Sequence, residues 1–184
     1  MEQTDLLTHD QIVQNPHLIT HHLNIITKDG SEQIIFRPLL YDDVLVLLQF
    51  SENLSKTTQR FATYPSYDLQ CAQQFCEEIN QKDKFRMVAI NMNRKIITLF
   101  EFNLNISDLD KKRYERYNIK LNDMSDIQFA PCIIDEYQNQ HVGTQLLQLM
   151  IVLAKRLGKK RMILWNGVLI DNKQAIRFYE RNNF

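Results

Sequence analysis

Glycine is scarce in this chain, with four among 184 residues against an average near ~7%. Gly30, Gly143, Gly158 and Gly167 are therefore each expected where the backbone requires one. Cysteine supplies no scaffold. Cys71, Cys76 and Cys132 are odd in number and contain no CxxC pair, which argues against a disulfide framework and for a reducing, cytoplasmic setting. Net charge is also missing. The 22 Lys and Arg balance the 22 Asp and Glu, so no overall field draws the chain to nucleic acid or membrane. There is no apolar run long enough for a membrane span or signal peptide, and the acidic Glu2 and Asp5 stand where a signal would be basic.

What is present is ordinary globular material: 21.9 kDa, 44% hydrophobic and 24% charged residues. That suffices for one domain with a buried core. Residues 1–20 read as an N-terminal arm or short helix, and residues 21–184 as a single domain. Two β-rich runs flank Asp29-Gly30, a dipeptide suited to the positive φ angles of a hairpin turn; Ile25, Ile34 and Phe36 should feed the core. Apolar spacing predicts helices over 41–55 and 67–81, with Asp42 or Asp43 capping the first. Residues 85–105 read as two strands joined near Asn91, and the charged stretch 107–123 as a solvated loop or short helix. "DIQFAPCII" (126–134) is an apolar strand that Pro131 should bulge or splay.

A strong helix follows at 143–157, with Leu146, Leu147, Met150, Leu153, Ala154 and Leu157 on one face. Then come a strand at 161–169 and a helix at 171–183 capped by Asp171 or Asn172. The order predicts an α/β fold of the α+β type: a single mixed, mostly antiparallel sheet with helices on both faces. Its C-terminal part is a parallel strand–helix–strand crossover.

The crossover carries the chemistry. A strand ending at Ile134, a polar turn and a helix starting near Gly143 aim free backbone N–H groups at one spot. Helix dipole and amides together bind an anion without a charged side chain. Gly143 would let the backbone approach the ligand closely, and Thr144 adds a hydroxyl.

Two stretches together point further: "QNQHVG" (138–143) and "NKQAIRFYERNNF" (172–184). They resemble the glycine-loop motif and the C-terminal motif of the GNAT acyl-CoA N-acetyltransferases, with Asn172, Ala175, Ile176, Phe178, Tyr179 and Phe184 in register. "FRPLLYDDVLVLLQFSENLS" and Arg60-Phe61 are similar to the opening of the branch that includes bacterial protein-lysine acetyltransferase domains. The resemblance implies a GNAT-like fold and acetyl transfer from acetyl-CoA, with no metal, to a primary amine on a protein lysine or small molecule. It implies that Ile133 and Ile134 pair with the pantetheine arm. Amides of Gln138, Asn139, Gln140, His141, Val142, Gly143 and Thr144 would cradle the pyrophosphate. Asn172 would touch the cofactor arm, and Tyr179, also at the cofactor, would protonate the departing thiolate, its ordinary pKa near ~10 keeping it protonated.

Three positions depart from that pattern. His141 replaces the first family glycine. Gln128 stands where the lysine-acetyltransferase branch has a glutamate base, which leaves Asp126 and Glu101 as candidate bases. The family's closing pair of strands would lie beyond Phe184, so the strand at 161–169 keeps an open edge. Either the sheet is completed by further chain or a partner covers it, a homodimer being one arrangement. These departures keep a second function open, a catalytically weak or inactive acyl-CoA-binding regulatory module. The basic cluster Lys155, Arg156, Lys159, Lys160 and Arg161 lacks interleaved aromatics and reads as a solvated helix end, not a nucleic-acid surface.

Overall fold

Six strands pair in chain order, β1 through β6. They are His21–Thr27, Gly30–Pro38, Lys84–Asn91, Ile96–Asn103, Asp126–Ile133 and Arg161–Leu164. The first four junctions are antiparallel and β5–β6 is parallel. The sheet is mixed and mostly antiparallel, as the pattern predicts. The computed structural model describes residues 5–81 and 83–184; Glu2 falls outside them.

Cross-strand register sorts the side chains into two faces. Phe85, Phe102 and Phe129 share one face, with Met87, Phe100 and Pro131 beside them. Helix α1 (His9–Gln14) meets this face through His9 on Phe85, and α6 (Val142–Arg156) through Gly143 beside Ile133. Arg86, Glu101, Ala130 and Cys132 lie on the other face. There the Arg86 guanidinium lies 3.9 Å over the Phe75 ring of α4 (Leu69–Glu77). Helices α2 (Val44–Glu52) and α3 (Lys56–Ala62) complete the chain before α4; α5 (Asp108–Glu115) and α7 (Lys173–Arg181) follow β4 and β6.

The expected apolar face of α6 is buried at Leu146, Leu147, Met150, Leu153 and Ala154. Each larger side chain there contributes on the order of 2 kcal/mol by leaving water. Ile25, Ile34 and Phe36 are buried as expected.

Several local expectations change. The hairpin turn is Lys28–Asp29, since Thr27 pairs with Gly30, and Gly30 alone carries the positive φ (+119°). Asp43 does not cap α2 with its side chain. It accepts the Leu40 N–H at 2.8 Å and a two-pronged pair from Arg37 at 2.7 Å, bracing the turn before the helix. The 161–169 strand stops at Leu164, where Asn166 (φ +58°) and Gly167 (φ +76°) turn the chain. The N-terminal segment is no loose arm: Ile12 and Ile19 are buried, and Leu7 N–H donates to Arg156 O at 2.7 Å. Among the described residues no helix is long and apolar enough to cross a membrane.

Candidate active site

The parallel strands β5 and β6 pair from Asp126 to Phe129 and then separate. Trp165 N–H still reaches Phe129 O at 3.1 Å, the last rung before the gap. Beyond it β5 stays in register with β4 through Pro131 to Ile133, without a bulge. The expected bulge at Pro131 is not seen: its pairing with β4 is regular, and β6 ends at Leu164, opposite Phe129, so Pro131 has no β6 partner. Backbone direction alternates along a strand. Ile134 donates to Ile97 O in β4 at 3.1 Å, so Cys132 also faces β4, while Pro131 and Ile133 face the gap. Proline's missing N–H thus costs the β4 ladder nothing. It also means that Ile134 cannot offer its N–H to a ligand in the gap, a correction to its expected role. Ile133 can, although its carbonyl already accepts from Gln138 Nε2 at 2.9 Å.

The turn between β5 and α6 is pinned by its side chains. Asp135 accepts from Ser55 N–H (2.9 Å), Ser55 Oγ (2.6 Å) and Thr58 Oγ1 (2.9 Å) of the α3 start. Burial works against this carboxylate's charge, but those donors win and its pKa is lowered. Tyr137 Oη donates to Glu32 at 2.9 Å and accepts from Asn91 at 3.1 Å. Gln140 Oε1 accepts Lys28 N–H at 2.9 Å, and Gln145 exchanges two bonds with Ile26.

With the side chains so occupied, the backbone donors are left over. Gln138 N–H donates to Asp135 O, and Gln145 N–H closes the first helical bond to His141 O. Among the described residues no acceptor lies on the six consecutive N–H groups from Asn139 to Thr144. They cluster at the start of a 15-residue helix, where the dipole adds partial positive charge. Asn139 (φ +58°) and His141 (φ +61°) both adopt the left-handed conformation that turns successive amides inward. Histidine therefore takes the glycine-type backbone itself, with its side chain exposed and making no cap bond.

Gly143 has a different job from the expected one. Its φ is not positive. A Cβ built there would lie 2.9 Å from Ile133 Cδ1 and 3.2 Å from Phe178 Cε2. The missing side chain lets α6, β5 and α7 close on one another, which fixes the amide cluster beside the gap. Val142 is buried beneath it.

The three acid–base candidates separate. Asp126 is 1% exposed and gripped by Arg161 at 3.0 and 2.8 Å and by Asn122 N–H at 2.6 Å. Burial opposes its charge, yet Arg161 and Asn122 hold its pKa low. It begins β5, six residues before Cys132, about 20 Å along the strand. This is a structural ion pair, not a base. Gln128 is fully buried: its Oε1 accepts from Asn103 (3.0 Å) and Ser107 N–H (3.2 Å), while its Nε2 donates to Ser107 Oγ and Asp110. The position ties α5 to the sheet. Glu101 lies opposite Ala130, two residues nearer the gap than Gln128 and on the same face. Arg86 Nε holds it at 2.7 Å and Glu78 at 2.8 Å through Nη2. The sequence offered no sign of this Glu78–Arg86–Glu101 chain, because its members come from separate elements.

Tyr179 is half-buried, packed against Phe178 (5.1 Å) and Phe184 (5.4 Å). Burial, then proximity to the Cys132 thiol, pushes its pKa up. Burial likewise pushes the Cys132 thiol up to about 12, so it stays neutral beside Tyr64 and Glu101. Asn172 spends Oδ1 on the Ala175 N–H (3.1 Å), capping α7. Among the described residues no group of three or more His, Cys, Asp or Glu is placed to hold a metal.

Residues 132–184, the segment holding the amide cluster and Tyr179, match the model of the acetyltransferase (GNAT) family. The chain has the GNAT acetyltransferase fold. Its structure is similar to the GNAT domain of S. lividans PAT, with a TM-score of 0.67 at 18% identity, covering 87% of this chain and 85% of that one. It is similar to the aminoglycoside antibiotic 6'-N-acetyltransferase AAC(6')-Ih from Acinetobacter baumannii (TM-score 0.60, 12% identity, 82% and 90% covered). A third similar structure is Mycobacterium smegmatis RimJ in complex with CoA-disulfide (TM-score 0.60, 9% identity, 90% and 75% covered). No curated protein sequence matches the chain.

Proposed function

We propose that this protein is an acetyl-CoA-dependent N-acetyltransferase acting on a primary amine, a protein lysine or a small molecule, in the cytoplasm. The observation that carries the reading is the run of six acceptor-free N–H groups, Asn139 to Thr144, beside the unpaired edge of β5. A pyrophosphate needs such donors, and an extended amide-bearing arm needs such an edge. The RimJ structure bound to CoA-disulfide lends the ligand class support.

Acetyl-CoA supplies an acyl carbonyl on a thiolate leaving group. Ile133 N–H and Pro131 O extend the sheet toward the arm, Asn172 adds side-chain donors, and the amide run holds the diphosphate charge. Tyr179, kept protonated by its raised pKa, donates its hydroxyl proton to the departing sulfur. Glu101 is the candidate carboxylate on the Cys132 face. Arg86 Nε fixes one of its oxygens at 2.7 Å, and the carboxylate takes the amine proton directly or through water.

Calorimetry with acetyl-CoA and with pantetheine tests the binding step. Micromolar acetyl-CoA binding is expected, with pantetheine weaker by at least tenfold because it lacks the diphosphate. A protein that binds neither ligand sinks the proposal. A second reading, a binding module with weak or no turnover, is favoured by the fully engaged Gln128 and by the Arg86 grip on Glu101. Tight acetyl-CoA binding without CoA release across a broad amine panel would establish it.

A further inference from the structure

Glu101, the candidate base, is held differently from two other buried carboxylates. Arg161 grips both oxygens of Asp126, with Nε at 3.0 Å and Nη2 at 2.8 Å, and Arg37 grips both oxygens of Asp43 at 2.7 Å. Such a planar fork is the favoured way for arginine to hold a carboxylate. Arg86 carries the same fork but gives Glu101 a single prong, Nε to Oε2 at 2.7 Å. Glu101 Oε1 accepts from no described residue, yet it is not sealed off from solvent.

The second prong is taken by Glu78. Nη2 lies on the same edge of the guanidinium as the Nε–H. Glu78 Oε2 stands 2.8 Å from it, an ion contact without an aligned N–H bond. Glu78 is itself fixed, its Oε1 accepting from Gln74 Nε2 at 2.9 Å and Lys84 Nζ at 3.2 Å. The rest of Arg86 is also committed: Nη1 donates to Phe75 O at 3.3 Å, and Cζ lies 3.9 Å over the Phe75 ring. Glu101 alone would neutralise Arg86, and Lys84 has to neutralise Glu78 in turn. What Glu78 adds is therefore geometry, not charge balance.

We infer that Glu78 is a positioning residue: by occupying Arg86 Nη2 it keeps Glu101 single-pronged and leaves Oε1 free to receive the amine proton. The proton step rests on the acetyltransferase reading; the side-chain geometry does not. With Glu78 removed, Nη2 turns to Glu101 and closes the fork already present between Arg161 and Asp126. A carboxylate with both oxygens held by a guanidinium is a poor acceptor for a further proton, because the bonds and the charge favour its ionised form.

Glu78→Ala vacates Nη2, and Glu78→Leu does so while filling the space, which covers a failure of the alanine variant to fold. With the best acceptor from a broad panel of primary amines, the vacated variant should lose about a hundredfold in kcat, the low end of a general base's contribution, while acetyl-CoA affinity stays within about twofold. Glu78→Gln, whose amide oxygen still faces Nη2, should restore most of that loss. Crystal structures should show Arg86 on one oxygen of Glu101 in the wild type and on both in the vacated variant. Wild-type kcat in the vacated variant overturns the assignment, as does a Glu101 that stays single-pronged there. If the wild type turns over no amine yet the fork closes when Glu78 is removed, the geometry stands and the acetyltransferase reading falls.

Discussion

Substituting His141 by glycine should stabilise the protein. His141 sits at φ +61° and ψ +7°, where an L side chain costs roughly 1–2 kcal/mol relative to ordinary backbone. Glycine removes that strain but loses more freedom on folding, about 0.5–1 kcal/mol. Nothing else changes hands, because the imidazole is exposed and makes no cap bond. The net expectation is a gain of roughly 0.5–1 kcal/mol, or about 1–4 °C in Tm for a chain of this size. His141→Val, β-branched in the same backbone, should instead lose more than about 1 kcal/mol. Thermal melts by circular dichroism measure both. The same variants also report on the ligand. Glycine keeps the N–H, so CoA affinity in calorimetry should stay within about twofold. A destabilised His141→Gly protein would refute the strain argument. A tenfold weaker CoA complex would show that the imidazole, not the amide, holds the phosphate.

Tyr179→Phe should lower kcat by about a hundredfold or more, the low end of general-acid contributions, with CoA affinity within about threefold; an unchanged kcat in steady-state assays removes Tyr179 from the proton path. Gln128→Glu should not create a base. It sets a carboxylate against buried Asp110 and discards an amide donor, so urea melts should show a loss of about 3 kcal/mol or more without faster turnover. Stability should fall in acid. Asp123, Asp126 and Asp135 have lowered folded pKa values, through Lys111 and Ile106 N–H, Arg161 and Asn122 N–H, and Ser55 and Thr58 respectively, each against the opposing effect of burial. Their contribution is complete above the unfolded value near ~3.9 and is lost as pH falls through the folded values. His21, lowered by burial and then Arg156, begins a shallower loss below about pH 6.5. Urea midpoints that stay constant from pH 7 to pH 3 would mean these pairs contribute nothing.

Much of the fold was legible because periodicity reports burial one element at a time. The α6 stripe and the β3–β4 pair came through for that reason. Helix α3 did not: seven residues with mixed polarity have no readable period, and Asp135 from elsewhere in the chain anchors its start. The β5–α6 loop was legible as a strand, a polar turn and a helix start. The assignment of roles inside it was not. Gly143 looked like a place for close approach to a ligand, and its space is filled by Ile133 and Phe178.

The sequence by itself determined the order of elements, the apolar faces, the polar turn before the α6 start and the motif pair at 138–143 and 172–184, because each is a local pattern within a few dozen residues. Tertiary structure alone decided which groups remain free. Ile134 turns to β4 while Ile133 turns to the gap; Asp126 is claimed by Arg161, Gln128 by Asp110, and Glu101 by Arg86. Availability of a donor or a charge depends on its partner, and these partners lie 15 to 35 residues away, beyond the reach of any local pattern.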